Sequence, residues 1–379
     1  MKETMDNKNK IKILITQDCN PLKGTGISVA TYGIAKELAK LDFEVTFATY
    51  DVPNKLVKDP GSGVNVVKLN TIQDLTQKIK GSDVVIPVVS FSSVFKAFGT
   101  TVSKICENEH KPYMPWVHTS LQNSKFNNIY NIKDYVQETS IFLMAEMFKS
   151  PFCKKVLAVS ETVKDSVVSL SVSPNKVAVI LNGLDLVKIG KELETPIQKT
   201  NDVICIQRLH PEKGSPLTIA VFANLKKLIP DFKAIVVGDG EDIDMVQSLI
   251  KMFGLTKNIT TIPTVINGEL VKLIQKSKVF LSTSLTESFG LAIAESMYIG
   301  TPVVAPNIEG PKELLENGLN GFVFDSGDTL TPAKIIAGIL NNEIVTVEKT
   351  KNAVQKIEHD CDITIQSEKL ARLIKKTLT

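Results

Sequence analysis

The sequence predicts an α/β protein of two domains, each built on a doubly wound parallel sheet with helices on both faces. Short apolar runs recur along the chain, and amphipathic helical patterns lie between many of them. This alternation is typical of parallel sheets. The chain has 379 residues, which is more than one ordinary hydrophobic core accommodates, so two domains are expected.

The first predicted sheet begins with the apolar run at residues 11–16, and a periodic helix follows at about 28–40. Six more strands are predicted in this half, at 45–49, 64–69, 84–89, 114–117, 156–160 and 177–180. A charged stretch without periodicity then separates the two halves. We therefore predict a disordered tail at 1–10, an N-terminal domain at 11–187 and a structureless linker at 188–200.

The second predicted sheet restarts after that linker. Its strands are predicted at 202–207, 233–238, 259–263, 279–283 and 303–305. The corresponding C-terminal domain covers 201–355, and a last helix lies within 356–379.

The composition excludes several classes of protein. The net charge of +3 is too small to indicate nucleic-acid binding, and the five cysteines form no C-x-x-C pair that would suggest a zinc site. The N-terminus is polar, and no apolar run reaches the roughly 18 residues of a membrane-spanning helix. We expect a cytoplasmic protein, with peripheral contact to the cytoplasmic face of a membrane left open.

The stretch from Thr286 to Met297 follows the predicted strand at 279–283 and opens a helix. The first N–H groups of a helix have no partners within the helix, so this turn is suited to bind an anion. Gly290 would let a ligand approach the backbone closely.

Two carboxylates bracket this turn, Glu287 before it and Glu295 inside the helix. Helical side chains lean toward the N-terminus, so Glu295 can face the same space as the free amides. Acids beside an anion make sense if they accept hydrogen bonds from hydroxyl groups on either side of it. A nucleotide-sugar has this arrangement of ribose, diphosphate and hexose. The alternative is an ordinary amphipathic helix with two solvated acids.

Three further segments carry candidate residues. Arg208 and Lys213 lie just beyond a predicted strand and can straddle a diphosphate, although a cationic surface loop is the alternative. Gly24 and Gly26 form G-x-G without a third glycine, so the dinucleotide fingerprint fails and a plain turn is the alternative. His118 ends a strand, where ligands of open α/β sheets bind, and a packed histidine is the alternative.

These motifs resemble those of a known family. The string E-S-F-G-L-x-x-x-E-S-M-x-x-G-x-P-V-V, which starts at Glu287, resembles the E-x7-E signature of the family 4 glycosyltransferases. These are retaining, glycogen-synthase-like enzymes of GT-B fold, in which two Rossmann-like domains face a central cleft. The segment at 208–214 resembles the G-R-L-x-x-x-K-G element of that family, with Gln207 in place of the usual glycine. The resemblance is specific across 202–324 and loose before residue 200.

The resemblance implies roles for these residues. Arg208 and Lys213 would hold the donor diphosphate, Glu287 the hydroxyls of the donor sugar, and Glu295 the ribose. The implied donor-binding residues are Gly24, Gly26, Arg208, Lys213, Ser288, Phe289, Gly290, Leu291 and Glu295. The implied catalytic residues are His118, Glu287, Arg208 and Lys213. In the resembled family, the last helix crosses back to the first domain.

We therefore expect a retaining, metal-independent glycosyltransferase. It would move a hexosyl or N-acetylhexosaminyl group from a nucleotide diphosphate-sugar, with UDP as the expected nucleotide, to a hydroxyl acceptor. The acceptor can be a small molecule, a glycan or a lipid-linked molecule, and the N-terminal domain would bind it. We expect no cofactor and no metal, because the two D-x-D triplets, Asp242-x-Asp244 and Asp360-x-Asp362, both fall at predicted helix starts. A monomer or a homodimer is expected.

Two other functions fit the same residues. A sugar phosphorylase or a sugar-nucleotide epimerase of the same fold would use phosphate, or the donor itself, instead of an acceptor alcohol. A non-catalytic module that binds sugar nucleotides is the other alternative, because a fold does not determine a function.

Overall fold

The computed structural model describes residues 10–18, 26–50, 61–89, 93–120, 132–265 and 268–379, with side chains everywhere in these ranges except at 93–97 and 132–140. The chain forms two compact units. Unit 1 comprises Met1–Gly183 and Ile363–Thr379, and unit 2 comprises Leu184–Asp362.

Unit 1 contains a seven-stranded sheet in the order β3-β2-β1-β4-β5-β6-β7, in which every neighbouring pair is parallel. The strands are β1 Ile11–Thr16, β2 Phe43–Thr49, β3 Val64–Lys68, β4 Val84–Val89, β5 Trp116–Val117, β6 Val156–Ala158 and β7 Val177–Val179. All six residues of the central strand β4 are buried, as expected for a parallel sheet covered on both faces. The prediction of a doubly wound parallel sheet is confirmed.

Six helices of unit 1 lie in the described ranges, and capping side chains mark the starts of two of them. They are α1 Gly26–Lys40, α2 Ile72–Lys80, α3 Ser93–Asn108, α4 Ile132–Lys149, α5 Glu161–Val168 and, at the end of the chain, the C-terminal helix Ile363–Leu378. Helix α2 starts with a capping box, in which the Thr71 hydroxyl and the Asp74 carboxylate each accept a backbone N–H of the other residue. Ser160 caps α5 by accepting the N–H of Val163 at 3.2 Å.

The C-terminal helix is part of unit 1 and packs against α1. A Cβ atom on Gly33 of α1 would lie 2.7 Å from the Ile363 side chain, so glycine permits this close approach. The Gln366 amide oxygen accepts the N–H of Leu181 at 3.0 Å. The chain therefore leaves unit 1 after Gly183 and returns to it at Ile363.

The boundaries of the units differ from the predicted ones. The stretch predicted as a structureless linker at 188–200 begins inside a helix, α6 Leu186–Leu193, so that prediction is wrong in its first part. Asp185 caps α6 by accepting the N–H of Lys188 at 2.9 Å. Burial of Leu186 and Ile189 holds the helix on the rest of unit 2. The charged residues that suggested a linker lie on its other face.

Unit 2 contains a six-stranded parallel sheet in the order β10-β9-β8-β11-β12-β13. Its strands are β8 Asn201–Ile206, β9 Ala234–Val237, β10 Ile259–Ile262, β11 Ser277–Leu281, β12 Val303–Pro306 and β13 Phe322–Phe324. The edge strand β13 has only three residues and was not predicted. Besides α6, the helices are α7 Ser215–Leu228, α8 Ile243–Met252, α9 Gly268–Gln275, α10 Leu291–Tyr298, α11 Glu309–Leu314, α12 Leu330–Leu340 and α13 Val347–Asp360.

The order of strands in unit 2 creates a topological switch point between β8 and β11. From β8 the chain proceeds outward to β10, returns to β11 beside β8, and then proceeds outward to β13. Ligands of open α/β sheets bind beyond the carboxyl ends of the strands at such a point. The loops that follow β8 and β11, at 207–214 and 282–290, meet there.

No helix in the described ranges is long and apolar enough to cross a membrane.

Candidate functional site

The loops after β8 and β11 are pressed together in unit 2. Gly214 has a φ of +65°, and a Cβ atom there would lie 2.2 Å from the carbonyl oxygen of Thr283. This backbone favours glycine, and the close contact requires it. The N–H of Leu285 in the second loop donates to the carbonyl oxygen of Glu212 in the first, at 2.9 Å. The two loops therefore form one connected surface.

Lys213 and Glu287 form an ion pair across these loops. Lys213 Nζ lies 2.7 Å from Glu287 Oε2, and the two side chains are only 17% and 24% exposed. Partial burial strengthens their attraction compared with a fully exposed pair. Both residues were predicted at the site, and the fold brings them together although they are 74 positions apart in sequence.

Arg208 lies in the same loop and is held by a residue that the sequence analysis missed. Its guanidinium group is bonded to the carboxylate of Glu212, and its side chain is 61% exposed. The only sequence signal for Glu212 is an acid placed four residues after an arginine. The carboxylate partner of Arg208 is thus Glu212, whereas that of Lys213 is Glu287.

The neighbouring His210 links this loop to the one after β9. Its Nε2 atom lies 3.1 Å from Glu241 Oε1, and its Nδ1 atom accepts the N–H of Glu212 at 3.4 Å. Backbone bonds join the same two loops, because the N–H of Leu209 donates to the carbonyl oxygen of Asp239 at 2.8 Å and the N–H of Asp242 donates to that of Leu209 at 3.0 Å. The cationic loop is therefore supported from two sides.

The turn after β11 leaves the start of α10 without a side-chain cap. Gly290 precedes the helix with a φ of +97°, and no side chain caps the helix there. The N–H of Gly310 donates to the carbonyl oxygen of Glu287 at 2.9 Å, and a Cβ atom on Gly310 would lie 2.5 Å from the backbone of Phe289. The turn is thus fixed by close backbone packing.

The predicted donor-binding residues of this turn differ in accessibility. Ser288 and Phe289 are buried, so they can offer their backbone rather than an exposed side chain. Leu291 is partly exposed at the first position of α10. The uncapped N–H groups at this end of α10 suit an anion.

Glu295 lies inside α10 and is partly buried. Its carboxyl group has no hydrogen bond or ion pair within the described part of the chain. Burial raises the pKa of Glu295 to about 7. A carboxyl group of this kind is suited to gain hydroxyl donors when a ligand arrives, because those bonds favour the ionised form.

The raised pKa of Glu295 predicts how stability depends on pH. The folded protein holds the proton more tightly than the unfolded chain, whose carboxyl has an ordinary pKa of 4.5. The free energy of unfolding should therefore fall as the pH rises from about 4.5 to 7, by on the order of 1–3 kcal/mol. Denaturant unfolding at several pH values should show this loss in the native protein and a smaller loss in Glu295→Gln. An equal loss in both proteins would contradict the assignment.

In unit 1, one of the two predicted glycines lies at the start of α1. Gly26 is the first residue of that helix and is exposed, whereas Gly24 lies outside the described residues. A buried cluster joins the residue after β1 to the first turns of α1. Gln17 donates to the Ser28 hydroxyl at 3.0 Å, and the Thr31 hydroxyl donates to Gln17 at 2.8 Å.

His118 follows β5 and is 4% exposed. Its backbone N–H donates to the Val89 carbonyl oxygen at 3.0 Å, and its ring centroid lies 5.2 Å from that of Trp116. Burial lowers the pKa of His118 to about 3, so the imidazole is neutral at physiological pH. Within the described residues, neither ring nitrogen has a hydrogen-bond partner. Buried polar groups of this kind often contact a water molecule or a ligand.

No three His, Cys, Asp or Glu side chains of the described residues come together in a way that could hold a metal ion.

Two family models match the chain. Residues 24–188 match the model described as Glycosyltransferase Family 4, and residues 191–359 match the one described as Glycosyl transferases group 1. Together they cover most of both units.

Several curated proteins are similar in sequence. An uncharacterized glycosyltransferase of Methanocaldococcus jannaschii is 24% identical over 338 residues, which cover 82% of this chain and 83% of that protein. A UDP-Gal:alpha-D-GlcNAc-diphosphoundecaprenol alpha-1,3-galactosyltransferase of Escherichia coli is 26% identical, over 62% of this chain and 63% of that protein. The gpi3 subunit of the phosphatidylinositol N-acetylglucosaminyltransferase of Schizosaccharomyces pombe is 24% identical, with only 48% of that protein matched.

Solved structures share the fold. HepE of Anabaena, solved in complex with UDP-glucose, has a TM-score of 0.77 and 20% identity, and the match covers 97% of this chain and 100% of that one. A sucrose-phosphate synthase of Thermosynechococcus elongatus also has a TM-score of 0.77, with 15% identity over 97% of this chain and 99% of that one. The predicted GT-B fold is thereby confirmed. The two family-model matches agree with the fold and with the motifs. The chain therefore belongs to the group 1, family 4 glycosyltransferases.

Proposed function

We propose that the protein transfers a hexosyl or N-acetylhexosaminyl group from a UDP-sugar to a hydroxyl acceptor, with retention of configuration and without a metal ion. The observation that carries this proposal is the Lys213–Glu287 pair at the switch point of unit 2, beside the uncapped start of α10. This pair joins a cation that would bind a diphosphate to a carboxylate that would accept hydrogen bonds from sugar hydroxyls.

The donor would be held by groups on both loops. Lys213 and Arg208 would neutralise the diphosphate, and the amides at the start of α10 would add hydrogen bonds. Glu287 would accept hydroxyl groups of the hexose, and Glu295 those of the ribose. UDP is supported as the nucleotide by HepE, solved with UDP-glucose, and by the E. coli relative that uses UDP-Gal.

The departure of the diphosphate would be assisted by side chains and backbone dipoles. Negative charge develops on the leaving phosphate, and fixed cations and amides aimed at that charge lower the barrier. In the resembled family, the acceptor attacks the front face of the donor and the leaving phosphate takes the acceptor proton. We therefore assign no protein nucleophile, and His118 would orient or stabilise the donor sugar as a neutral imidazole.

The acceptor would be bound by unit 1. The names of the E. coli and S. pombe relatives contain GlcNAc-diphosphoundecaprenol and phosphatidylinositol, and another relative, from Acholeplasma laidlawii, is named an alpha-monoglucosyldiacylglycerol synthase. These names support a lipid-linked hydroxyl acceptor together with peripheral contact to a membrane. A glycan or a small molecule would need the same hydroxyl chemistry.

A panel of nucleotides and nucleotide-sugars tests the proposal. A ligand that binds only the native state at a hundred times its Kd stabilises the protein by about 2.7 kcal/mol, so UDP and its sugar derivatives should raise the Tm by several degrees. ADP, GDP and uridine serve as controls. Stabilisation by inorganic phosphate and a sugar 1-phosphate, but not by UDP, would indicate a sugar phosphorylase instead.

Turnover should not require a metal ion. UDP-sugar hydrolysis or transfer should continue at an unchanged rate in EDTA, since the proposed cations are Arg208 and Lys213. Release of UDP would be followed in a coupled assay, with added Mg²⁺ and Mn²⁺ as comparisons. Activity that disappears with the chelator and returns with Mn²⁺ would contradict this part of the proposal. Binding of UDP-sugar without any turnover would favour the non-catalytic alternative.

A further inference from the structure

A buried polar network lies directly beneath the Lys213 loop. Gln207, the residue that departs from the family pattern, donates from Nε2 to the Thr218 hydroxyl of α7 at 3.1 Å. The Thr218 hydroxyl lies 2.6 Å from the hydroxyl of Thr283, which follows β11. Thr218 and Thr283 are 1% and 3% exposed. The network therefore joins the ends of β8 and β11 to the first turns of α7.

The distances define a direction for the hydrogen bonds. Thr283 Oγ1 lies 3.2 Å from the carbonyl oxygen of Gly214 and 3.4 Å from that of Lys213, so it donates toward these carbonyls. The Thr218 hydroxyl lies farther from the Gly214 carbonyl, at 3.5 Å, and can donate to Thr283. Each hydroxyl has one proton to give, so the chain runs from Gln207 through both threonines to the loop carbonyls.

This chain acts on the backbone that carries Lys213. The Gly214 carbonyl also accepts the N–H of Thr218 at 3.1 Å, so the hydroxyls and the helix start hold the same peptide group. Lys213 leaves this held segment and reaches Glu287 on the opposite loop. The position of its ammonium group therefore depends on the two hydroxyls.

We infer that Thr218 and Thr283, with Gln207 behind them, are positioning residues that hold Lys213 in place for the donor diphosphate. This inference rests on the proposed function. None of the three contacts the ligand in this scheme, and they act only through Lys213. A lysine ammonium on a flexible stem binds a phosphate as a point charge, so small shifts of its backbone change its distance from the diphosphate.

The first test measures UDP binding by calorimetry in Thr283→Val and Thr218→Val. Valine keeps the shape of threonine and removes the hydroxyl. We expect the affinity for UDP to fall by about threefold to tenfold, the range for one lost hydrogen bond. Thr283→Ser retains the hydroxyl and should restore most of the affinity.

A matched control removes a buried hydroxyl elsewhere in unit 2. The Thr301 hydroxyl is bonded to the carbonyl of Ile274 at 3.2 Å, and Thr301 is 1% exposed. Thr301→Val should lower the Tm by a similar amount and leave UDP affinity within twofold. If it weakens UDP binding as much as Thr283→Val does, the effect reflects general destabilisation and the inference is overturned.

A double-mutant cycle with Lys213→Ala separates positioning from structure. If the threonines act through Lys213, Thr283→Val should change UDP affinity by less than about 1.5-fold once Lys213 is alanine, whereas independent effects would multiply. Equal losses in both backgrounds overturn the inference.

Failure of the inference can be distinguished from failure of the proposed function. If Thr218→Val does not fold, Gln207→Met removes the first donor and leaves both hydroxyls. It should weaken UDP binding by about twofold to threefold, again only when Lys213 is present. An unchanged affinity in Gln207→Met and Thr283→Val overturns the inference alone. An unchanged affinity in Lys213→Ala overturns the proposed function, and the inference with it.

Discussion

Replacing Lys213 with alanine should weaken UDP binding by about tenfold to a hundredfold and leave uridine binding nearly unchanged. The physical reason is the loss of a charge-assisted hydrogen bond, which contributes on the order of 1.5–3 kcal/mol. The Lys213 side chain is only 17% exposed, so water cannot fully replace it. Uridine lacks the diphosphate, so its affinity should not depend on Lys213.

The partner of Lys213 enlarges this effect. Glu287 is left without its cation in Lys213→Ala, and its carboxylate then repels a diphosphate bound nearby. The double variant Lys213→Ala/Glu287→Gln should therefore recover part of the lost affinity. This recovery would show that the two residues act as a pair.

Calorimetric titration of UDP and uridine into each variant measures these changes. Lys278→Ala is the matched control, because Lys278 pairs with Asp202 at 2.9 Å in the same unit and has no proposed role in binding. Its affinity for UDP should equal that of the native protein. Unchanged UDP affinity in Lys213→Ala would show that the ion pair is structural and that the diphosphate lies elsewhere.

Glu287→Gln should slow transfer on the order of a hundredfold while UDP affinity stays the same or increases slightly. Removal of one preorganised group at the reacting centre typically lowers kcat by about this factor. UDP carries no hexose, so it does not use the proposed contact. Glutamine also frees Lys213 from its ion pair, which favours the diphosphate.

Steady-state rates with a UDP-sugar measure the transfer rate, and titrations with UDP measure the UDP affinity. Glu316→Gln is the control, since Glu316 pairs with Lys356 at 2.8 Å in unit 2, outside the proposed site. Glu295→Gln supplies the contrast, because loss of a ribose contact should weaken UDP and UDP-sugar equally. If Glu287→Gln weakens UDP as much as Glu295→Gln does, the division between hexose and ribose is wrong.

Local pattern determined the fold class and the identity of the main candidate residues. Short apolar strands that alternate with helices predicted two parallel sheets, because strands buried on both faces are apolar at almost every position. The spacing between Glu287 and Glu295 placed both acids around a helix start, since helical geometry is local. Arg208 and Lys213 were found in the same way, from their place after a strand.

The boundaries of the units could not be read from local pattern. Helix α6 and the short strand β13 are stabilised by packing on distant parts of unit 2, and their few residues give little periodic signal. The last helix belongs to unit 1 because Ile363 and Gln366 contact residues that precede Gly183. Contacts between segments this far apart in sequence produce no pattern that can be recognised in either segment alone.

The pairing within the site was decided by the tertiary structure alone. The crossover from β10 back to β11 places Glu287 2.7 Å from Lys213, although each sequence motif is complete without the other. Burial within the same fold raises the pKa of Glu295 to about 7. A sequence specifies which groups are present, whereas distances and desolvation depend on every segment that packs around them, and those two quantities set the electrostatics of the site.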